Sequence, residues 1–376
     1  MGRVKKIIFT VTNDLSYDQR MQKICRSLST AGYQVELVGR LRDFSIPISQ
    51  EPYEQTRLKC LFNKGKLFYI EYNLRLLFYL YFSKFDGACA IDLDTIVPVY
   101  IAGRLNGAKL AYDAHEYFTE VPEVVRRPFV KKVWEWIEET YVPRFDLVYT
   151  VSGGLAELFE KKYKKHFEVI MNVPTATSPS VSKARPDDQV GRGEEQDKYI
   201  LYQGALNEGR GLENLIMAMK DVSFKLKLAG EGDLSQSLRA LVRNEYLENR
   251  VEFLGYVEPK KLKEVTAGAS IGINLLENTG LSYYYSLSNK FFDYIHAGIP
   301  QVCIGFPEYK MINDKYEVAL LTKDCETNEI KAAIMRLLTD KNLYAELQKK
   351  CEVCSRVLNW QAEEKKLLGL YGQLLG

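Results

Sequence analysis

Apolar residues come in short runs along this chain, and stretches with a helical period separate the runs. Runs of four to six apolar residues that alternate with a 3.6-residue period are typical of βαβ units. One such series opens the chain, and a second series of the same form begins near residue 199. We therefore predict an α/β protein with two domains, each a parallel sheet with helices on both faces. The predicted opening elements are the strands 6–11, 34–38, 199–203 and 225–229 and the helices 17–31 and 212–220.

The composition changes sharply between the two series. Residues 175–198 are rich in Ser, Pro, Gly, Asp and Glu and contain almost no apolar residues, which predicts a linker or an exposed loop. We expect a first domain over 1–174, a second over 199–355 and a final helical segment over 356–376. The pattern from Asn342 to Leu375 is helical throughout.

Composition and charge narrow the class of protein. The 376 residues are 46% hydrophobic and 27% charged, as in globular proteins. The net charge is +2, and residues 1–170 carry 25 basic against 21 acidic side chains, so neither half has the dense basic face of a nucleic-acid binder. Seven scattered cysteines and an apolar run in residues 1–10 too short for a secretory signal predict a cytoplasmic location.

The most apolar stretch, residues 67–86, contains eight aromatic side chains. Glu71, Asn73 and Arg75 interrupt it, so it is too polar to span a bilayer, which needs about 20 apolar residues. Two interpretations stay open: a mostly buried helix, or a helix whose aromatic side chains touch a membrane interface. The basic residues that flank it are Lys64, Lys66 and Lys84.

The second half carries turns that suit a phosphate. The segment 204–211 leaves a predicted strand and enters a helix, where glycines allow close approach and the helix N-terminus offers free N–H groups. Arg210 adds a bidentate donor. Such a turn alone is equally compatible with a purely structural role, and no Gly-Lys-Ser/Thr follows that would make it a Walker loop.

Two further turns support a nucleotide site in the same domain. Gly230, Glu231 and Gly232 follow the next strand as a tight turn. Ser288, Asn289 and Lys290 precede a predicted helix over 291–297 and form a second candidate anion site. Asp293, one turn further, is a candidate acceptor for a ribose diol. Three such turns that follow neighbouring strands favour a nucleotide over any single glycine turn.

This pattern resembles the donor domain of the family 4 retaining glycosyltransferases, which have two facing Rossmann-like domains, the GT-B fold. The family's Gly-Arg-x(4–5)-Lys-Gly loop corresponds to 204–211, its Gly-x-Gly turn to 230–232, and its Glu-x7-Glu motif with an Ala-Gly-x-Pro end to 285–300. The resemblance extends to the first domain through 92–95, 112–116, 150–152 and Asn172. It implies a C-terminal helix that crosses back to the first domain.

Three positions depart from the family pattern. Ala205 replaces the first Arg of the loop, Tyr285 replaces the first Glu, and Asp293 is a shortened form of the second Glu. Lys290 is expected to supply the lost positive charge. Glu277, eight positions before Tyr285, is an alternative candidate for the carboxylate that contacts the donor sugar.

The resemblance assigns roles to residues of both domains. His115, Arg210 and Lys290 are the expected catalytic residues, and His115 would contact the transferred hexose. A packed or capping His is the alternative. The loop residues Asn13 and Asp14 are the expected contacts to the acceptor or the diphosphate. Glu116 is a candidate contact to acceptor hydroxyls, with an ordinary loop acid as the alternative. The expected donor-binding residues are Gly204, Arg210, Gly230, Glu231, Gly232, Ser286, Ser288, Asn289, Lys290 and Asp293.

Several polar residues have a structural interpretation instead. Asp18 and Arg20 equally fit a helix cap and a salt bridge. Asp92-Leu93-Asp94 looks like the Asp-x-Asp metal motif of single-domain glycosyltransferases, but it precedes a helix that Asp94 or Thr95 would cap. Cys351 and Cys354 lack a second ligand pair and are expected to pack. His296 and His166 are assigned to the helix interior and a solvated face.

The resemblance implies transfer of a hexose from a UDP- or GDP-sugar to a glycan or lipid-linked acceptor, with retention and without a metal or other cofactor. Surface-polysaccharide synthesis is the expected setting, with peripheral contact to the inner face of the cytoplasmic membrane left open and no nucleic-acid partner. Two alternatives remain: a sugar-nucleotide epimerase of the same fold, and a non-catalytic protein that only binds a nucleotide.

Overall fold

The computed structural model describes residues 3–16, 18–43, 45–176 and 198–376. Contacts divide the chain into two compact units, Met1–Asn172 with Ala362–Gly376 and Val173–Gln361. Most of the predicted linker, residues 177–197, lies outside the described residues, as does Tyr17, where the first helix was expected to begin.

The first unit is a parallel sheet with the strand order β3-β2-β1-β4-β5-β6-β7. Its strands are β1 (Lys6–Thr10), β2 (Gln34–Leu41), β3 (Glu54–Lys59), β4 (Gly87–Ile91), β5 (Lys109–Ala114), β6 (Leu147–Thr150) and β7 (Glu168–Val169). Its helices are α1 (Gln19–Thr30), α2 (Gly65–Phe82), α3 (Ile96–Asn106), α4 (Pro122–Val125), α5 (Pro128–Tyr141) and α6 (Gly153–Tyr163).

The second unit repeats this plan with the strand order β10-β9-β8-β11-β12-β13, again with parallel neighbours. Its strands are β8 (Tyr199–Gln203), β9 (Lys225–Ala229), β10 (Val251–Gly255), β11 (Ile271–Asn274), β12 (Gln301–Ile304) and β13 (Ala319–Thr322). Its helices are α7 (Leu212–Ala218), α8 (Ser235–Asn244), α9 (Pro259–Gly268), α10 (Leu281–Tyr284), α11 (Asn289–His296), α12 (Pro307–Tyr316), α13 (Thr327–Thr339) and α14 (Lys341–Val357).

Both sheets reverse their strand order beside the first strand, between β1 and β4 and between β8 and β11. Loops at the carboxyl ends of the strands diverge at such a switch point and leave a crevice where open α/β sheets bind ligands. The predicted α/β class and the two parallel sheets are confirmed. Each unit therefore offers one candidate crevice, at the carboxyl edge of its own sheet.

The helical pattern over 342–375 is divided in the structure. α14 ends at Val357, and a second helix, α15 (Trp360–Leu375), follows after two residues. The Asn359 side chain donates to the carbonyls of Ser355 (3.3 Å) and Arg356 (2.8 Å), so it satisfies acceptors at the end of α14. A polar residue that bonds to the preceding turn ends the helix here.

Helix α15 completes the core of the first unit. Tyr371 is buried between Phe9 and Tyr149, with ring centroids 5.8 and 6.5 Å away, and its hydroxyl lies 3.2 Å from that of Tyr149. Glu363, also buried, accepts a 2.9 Å hydrogen bond from the Met171 amide. The final segment thus belongs to the unit that the N-terminal residues open, as the resemblance implied.

Helix α2 is not the mostly buried helix that was one of the two predictions for residues 67–86. Its buried side chains form a narrow stripe, and most of its other apolar side chains are exposed. Because the helix is apolar on all sides, its hydrophobicity alone did not show which face is buried. Within the part of the chain that the structure describes, no helix combines the length and apolar character needed to cross a bilayer. The buried stripe is Phe68, Tyr72, Leu76 and Leu80.

The packing of α15 leads to a stability prediction. Tyr371→Ala should lower the free energy of unfolding of the first unit by about 3–5 kcal/mol, because it removes a large buried side chain and leaves a cavity. Urea unfolding followed by circular dichroism measures the change. Gln373→Ala, an exposed position on the same helix, is the control and should leave the transition in place. Equal midpoints for both variants would contradict the assigned packing.

Candidate functional site

Three loops leave the carboxyl edge of the second sheet beside one another. They connect β8 to α7 over 204–211, follow β9 over 230–234, and connect β11 to α11 over 275–288. Strand β8 lies between β9 and β11, so the loops are neighbours at the switch point. The segments that the sequence predicted to bind a nucleotide therefore meet at one edge.

The first two loops touch through their main chains. A side chain at Gly230, whose φ is +151°, would place a Cβ 1.9 Å from the carbonyl oxygen of Gly204. The Leu206 amide donates to the Glu231 carbonyl at 3.2 Å, and the Gly230 amide donates to the Gly255 carbonyl at 2.8 Å. Gly230 is thus required by loop packing, which gives this edge a fixed backbone.

Lys290 is a buried cation at the start of α11. Its side chain is only 6% exposed, and its Nζ lies 4.2 Å from the ring centroid of Tyr202. No other described residue forms a hydrogen bond or ion pair with this ammonium group. Burial lowers the pKa of Lys290 to about 7, and the nearby charge of Arg210 also lowers it.

Arg210 is the second cation of the site. Its guanidinium lies 5.2 Å from the ring centroid of Tyr283, and its Nε is buried without a hydrogen-bond partner among the described residues. Gly209 makes room for this arrangement, because a Cβ there would lie 2.8 Å from the Tyr283 ring. A buried cation normally has a counter-ion. Arg210 and Lys290 share an edge on which no described residue acts as a counter-ion, and this arrangement suits a polyanionic ligand such as a diphosphate.

Asp293 is held one turn after Lys290 by a chain of hydrogen bonds. Its Oδ2 accepts from Gln203 Nε2 at 2.8 Å, and Gln203 Oε1 accepts from Thr266 Oγ1 at 2.7 Å. Gln203 is the last residue of β8, so the carboxylate is fixed against the central strand. A carboxylate positioned in this way is a suitable acceptor for a ribose hydroxyl.

The polar residues before α11 mainly anchor their own loop. Ser288 Oγ donates to Asn274 Oδ1 at 2.9 Å, and the Ser288 amide donates to the buried Tyr309 hydroxyl at 3.1 Å. Ser286 Oγ lies 3.3 Å from the same hydroxyl. The Ser288 side chain therefore does not cap α11, and Asn289 follows as an exposed residue. These contacts fix the backbone that presents Lys290.

These loops lie within a region with known relatives, since residues 185–352 match the family model described as glycosyl transferases group 1. This part of the chain is therefore similar to a group 1 glycosyltransferase domain. The matched region includes all three loops of the candidate site, together with Arg210 and Lys290.

Curated relatives match the chain over shorter segments. An uncharacterized glycosyltransferase of Methanocaldococcus jannaschii is 33% identical over 82 residues, 21% of each chain. An N-acetylgalactosamine-N,N'-diacetylbacillosaminyl-diphospho-undecaprenol 4-alpha-N-acetylgalactosaminyltransferase of Campylobacter jejuni is 29% identical over 166 residues, 42% of this chain and 44% of that protein. The chain thus matches less than half the length of these relatives.

Solved structures match nearly the whole chain. The sucrose-phosphate synthase of Thermosynechococcus elongatus superposes with a TM-score of 0.77 and 19% identity over 98% of this chain and 99% of that one. HepE of Anabaena, solved with UDP-glucose, gives a TM-score of 0.75 and 17% identity over 98% and 100%. At this identity the likeness shows the fold, and it confirms the predicted GT-B class.

The turn after β9 has a structural function in this region. A Cβ at Gly232 would lie 2.2 Å from Asn207 Oδ1, and the Gly232 amide donates to Ser235 Oγ at 2.9 Å. Glu231 is partly exposed and forms an ion pair with Arg239 at 2.9 Å. The packing of the turn therefore requires Gly232, while the side chain of Glu231 is exposed.

Sequence reasoning missed the aromatic residues that hold the two cations. Tyr202 supports Lys290 and Tyr283 supports Arg210, although neither is adjacent to its partner in sequence. The only available signal was the apolar character of β8, in which residues 200–203 are all buried, Tyr202 among them. Glu277 also lies at the site, because its amide donates to the Gly209 carbonyl at 2.9 Å. Burial raises the pKa of its carboxyl, and Glu213 contributes to the same shift.

His115, itself partly exposed, belongs to a charged cluster at the carboxyl end of β5 in the first unit. Its Nε2 lies 3.2 Å from Asp113 Oδ2 and its Nδ1 3.7 Å from Asp92 Oδ2. Arg20 binds Asp113 in a bidentate pair at 2.9 and 3.0 Å. Burial acts to lower the pKa of His115, but the carboxylates of Asp113 and Asp92 outweigh it and raise the pKa to about 9. His115 is therefore a cation at neutral pH.

The predicted acceptor residues have different surroundings. Asp14 is buried and accepts hydrogen bonds from Arg57 at 2.8 Å, from the Ser16 amide and from the Ser45 hydroxyl. It therefore joins the loop after β1 to β3 and to the segment that follows β2. Asn13 donates to Asp18 at 3.2 Å. Glu116 is an exposed residue next to His115. Asn13 and Glu116 are the accessible members of this group.

The structural interpretations of the other residues agree with the contacts in part, and the helix cap predicted at Thr95 is wrong. Asp18 caps α1 by accepting from the Met21 amide at 3.0 Å. Thr95 precedes α3 but donates to the Thr10 and Ile91 carbonyls instead of capping the helix. The described residues contain no group of three or more metal-ligating side chains. Packing interactions hold Cys351, Cys354 and His296, and His166 is exposed beside Glu160 and Glu168.

The cluster around His115 predicts a shift that nuclear magnetic resonance can measure. Asp113→Asn should lower the pKa of His115 by about one unit or more, because burial then acts with less opposition. Asp92→Asn should lower the pKa of His115 by less, because the Asp92 carboxylate lies further from the imidazole. This substitution also leaves the pair between Arg20 and Asp113 intact. The titration of the imidazole Cε1 proton, assigned with His115→Gln, checks both values.

The same cluster links stability to pH. The pKa of His115 in the folded protein is above its ordinary value of about 6.5. The contribution of its charged form to the free energy of unfolding is therefore complete below pH 6.5 and is lost as the pH rises through about 9.

For the titration experiment, an unchanged imidazole pKa in both the Asp113→Asn and the Asp92→Asn variant, with intact circular dichroism spectra, would contradict the assigned contacts.

Proposed function

We propose that the protein transfers a hexose from a nucleotide-sugar, a UDP- or GDP-sugar, to a glycan or lipid-linked acceptor with retention of configuration. The observation that carries the proposal is the pair of cations, Arg210 and Lys290, at the switch point of a unit that is similar to a group 1 glycosyltransferase domain. Lys290 has neither a hydrogen bond nor an ion pair, and the Nε of Arg210 has no partner, among the described residues. A nucleoside diphosphate supplies the charge that this edge lacks.

The chemistry of the leaving group explains why two cations are needed. As the glycosidic bond breaks, negative charge grows on the diphosphate, and preorganised donors that face this charge lower the barrier. Arg210 offers a planar bidentate donor and Lys290 a compact ammonium. In the proposed mechanism these two side chains perform the charge stabilisation without a metal, and the acceptor hydroxyl attacks from the side that the diphosphate leaves.

Relatives support the chemical class of both substrates. HepE of Anabaena, which shares the fold, was solved with UDP-glucose. The name of the Campylobacter jejuni relative describes transfer of a sugar to an undecaprenol-linked saccharide. We extend a nucleotide-sugar donor and a lipid-linked or glycan acceptor to this chain on that basis, within surface-polysaccharide synthesis.

We assign recognition of the sugar and of the ribose to His115, Glu277 and Asp293. His115, as a cation, is a hydrogen-bond donor, and we propose it as the contact to the transferred hexose. Tyr285 lies where the resemblance places a glutamate, and its ring packs at 5.1 Å against Tyr284. Glu277 bonds to the loop of Arg210 and is our candidate for the missing carboxylate. Asp293 is the proposed ribose contact.

The phosphate assignment predicts the effect of removing either cation. Lys290→Ala and Arg210→Ala should each abolish most of the transfer activity, by roughly a hundredfold or more, because each removes charge stabilisation at the leaving group. Thermal-shift titration with UDP and GDP should show weaker stabilisation in both variants, while the circular dichroism spectrum stays unchanged.

Lys260→Ala is the matched control, because Lys260 is an exposed lysine of the same domain. It should keep wild-type activity and nucleotide binding. Full activity of both the Lys290 and the Arg210 variant would refute the diphosphate site. Conversion of the donor without any acceptor would favour the epimerase alternative.

Nucleotide binding should also take up protons above neutral pH. The pKa of Lys290 is about 7 in the unliganded protein, so the amine is mostly neutral at pH 8, and a bound diphosphate raises its pKa and recruits a proton. Calorimetric titration with UDP or GDP at pH 8, in buffers of different ionisation enthalpy such as HEPES and Tris, measures this uptake.

The uptake should approach one proton per nucleotide at pH 8 and should fall at pH 6, where Lys290 is already protonated. Lys290→Met should bind more weakly and lose the buffer dependence. Buffer-independent heats for the wild-type protein at pH 8, in the presence of clear binding, would show that Lys290 does not face the diphosphate.

A further inference from the structure

Helix α2 exposes an apolar face that the mechanism does not use. The buried stripe of this helix packs inside the first unit, and its opposite side presents large apolar side chains that are more than half exposed. Phe82 is 80% exposed at the end of the helix. The exposed members of this face are Leu67, Ile70, Leu74, Phe78, Tyr81 and Phe82.

Helix α5 extends this apolar face. Phe129, Val133 and Trp136 recur at positions i, i+4 and i+7, so they lie on one side of the helix, and all three are exposed. Phe129 is 73% exposed. The two helices are neighbours, because Lys66 Nζ lies 5.8 Å from the Phe129 ring centroid and the rings of Tyr69 and Trp134 are 5.8 Å apart. We call the six α2 residues above together with Phe129, Val133 and Trp136 the α2–α5 surface.

Basic side chains surround this surface. Residues 59–84 carry five Lys and Arg against one acid, Glu71. The Glu71 carboxylate is already engaged by Arg75 at 2.8 Å and by the Leu61 and Phe62 amides at 2.9 Å. None of the exposed flanking lysines forms an ion pair with a described residue, which leaves their charge available. These lysines are Lys64, Lys66, Lys84 and, on α5, Lys132.

An open groove of about 650 Å³ lies beside the C-terminal end of α2. Its apolar lining comes from Leu58, Phe78 and Phe82, and Lys59 places positive charge in the same lining, where Arg75 is already paired with Glu71. An apolar slot with cations at its side matches an acyl chain joined to an anionic headgroup. Lysine, the residue that flanks the α2–α5 surface, is depleted in protein–protein interfaces relative to the rest of a protein surface.

We propose that the α2–α5 surface binds the interfacial region of an anionic lipid bilayer and holds the first unit on the membrane. Aromatic and aliphatic side chains with flanking Lys and Arg are the composition of helices that lie in the headgroup region. Each basic residue near such a surface adds attraction to anionic lipids. Since no described helix can cross a bilayer, the contact is peripheral.

Vesicle sedimentation of the full chain tests the proposal. The protein should sediment with vesicles of phosphatidylglycerol and phosphatidylcholine in equal parts and bind roughly tenfold more weakly to phosphatidylcholine alone, and high salt should reduce binding to the mixed vesicles. Lys64→Gln/Lys66→Gln/Lys84→Gln should remove most of the lipid preference. Leu67→Ser/Phe78→Ser/Phe82→Ser should lose binding to both kinds of vesicle.

The matched control is Met311→Ser/Val353→Ser/Val357→Ser, which removes three half-exposed apolar side chains from the second unit and should bind like the wild-type protein. All variants should keep the same thermal shift with UDP, so a failure of the lipid contact is distinct from a failure of the donor site. Failure of the wild-type protein to bind either kind of vesicle would overturn the proposal. So would dimerisation in analytical ultracentrifugation that the α2 serine variant abolishes while vesicle binding persists.

Discussion

A buried lysine with no counter-ion among the described residues is the constraint on which the second unit depends. Burial disfavours the charged form of Lys290, and Arg210 adds repulsion from the same edge of the sheet. The surrounding structure compensates only in part, through the faces of Tyr202 and Tyr283. The close contact of the glycine loops and the anchors of Ser288 then hold the backbone in place. An anion that enters this edge relieves the strain, so binding and stability are coupled.

The architecture was predictable because its signals are local. Short apolar runs, glycine turns and helical periods each depend on residues close in sequence, and they predicted both sheets and the loops at their carboxyl edges. The positions of Lys290 and Asp293 at this edge were predictable in the same way, because each lies in the first turns of one helix, while their roles in binding stay predictions. The break between α14 and α15 was missed, since Asn359 ends a helix whose apolar period continues on both sides.

The features that the sequence did not predict depend on contacts between residues far apart in the chain. Asp14 looked like a ligand contact on a polar loop, but Arg57 of β3 lies 2.8 Å from it and occupies the carboxylate. Tyr283 and Tyr202 were not expected at the site because their partners come from other loops. Because α2 carries apolar residues on every side, its sequence did not show which face is buried. Sequence pattern identifies such a helix, but its packing neighbours in the folded unit decide which face is covered.

The return of α15 to the first unit has a consequence for the order in which the protein is made. Residues 362–376 are translated after the entire second unit, yet Tyr371 fills the space between Phe9 and Tyr149. The nascent first unit must therefore wait, with part of its core open, while the ribosome synthesises almost two hundred further residues. The second unit has its own sheet and can fold during that interval. The unit that begins the chain is thus the last to be completed.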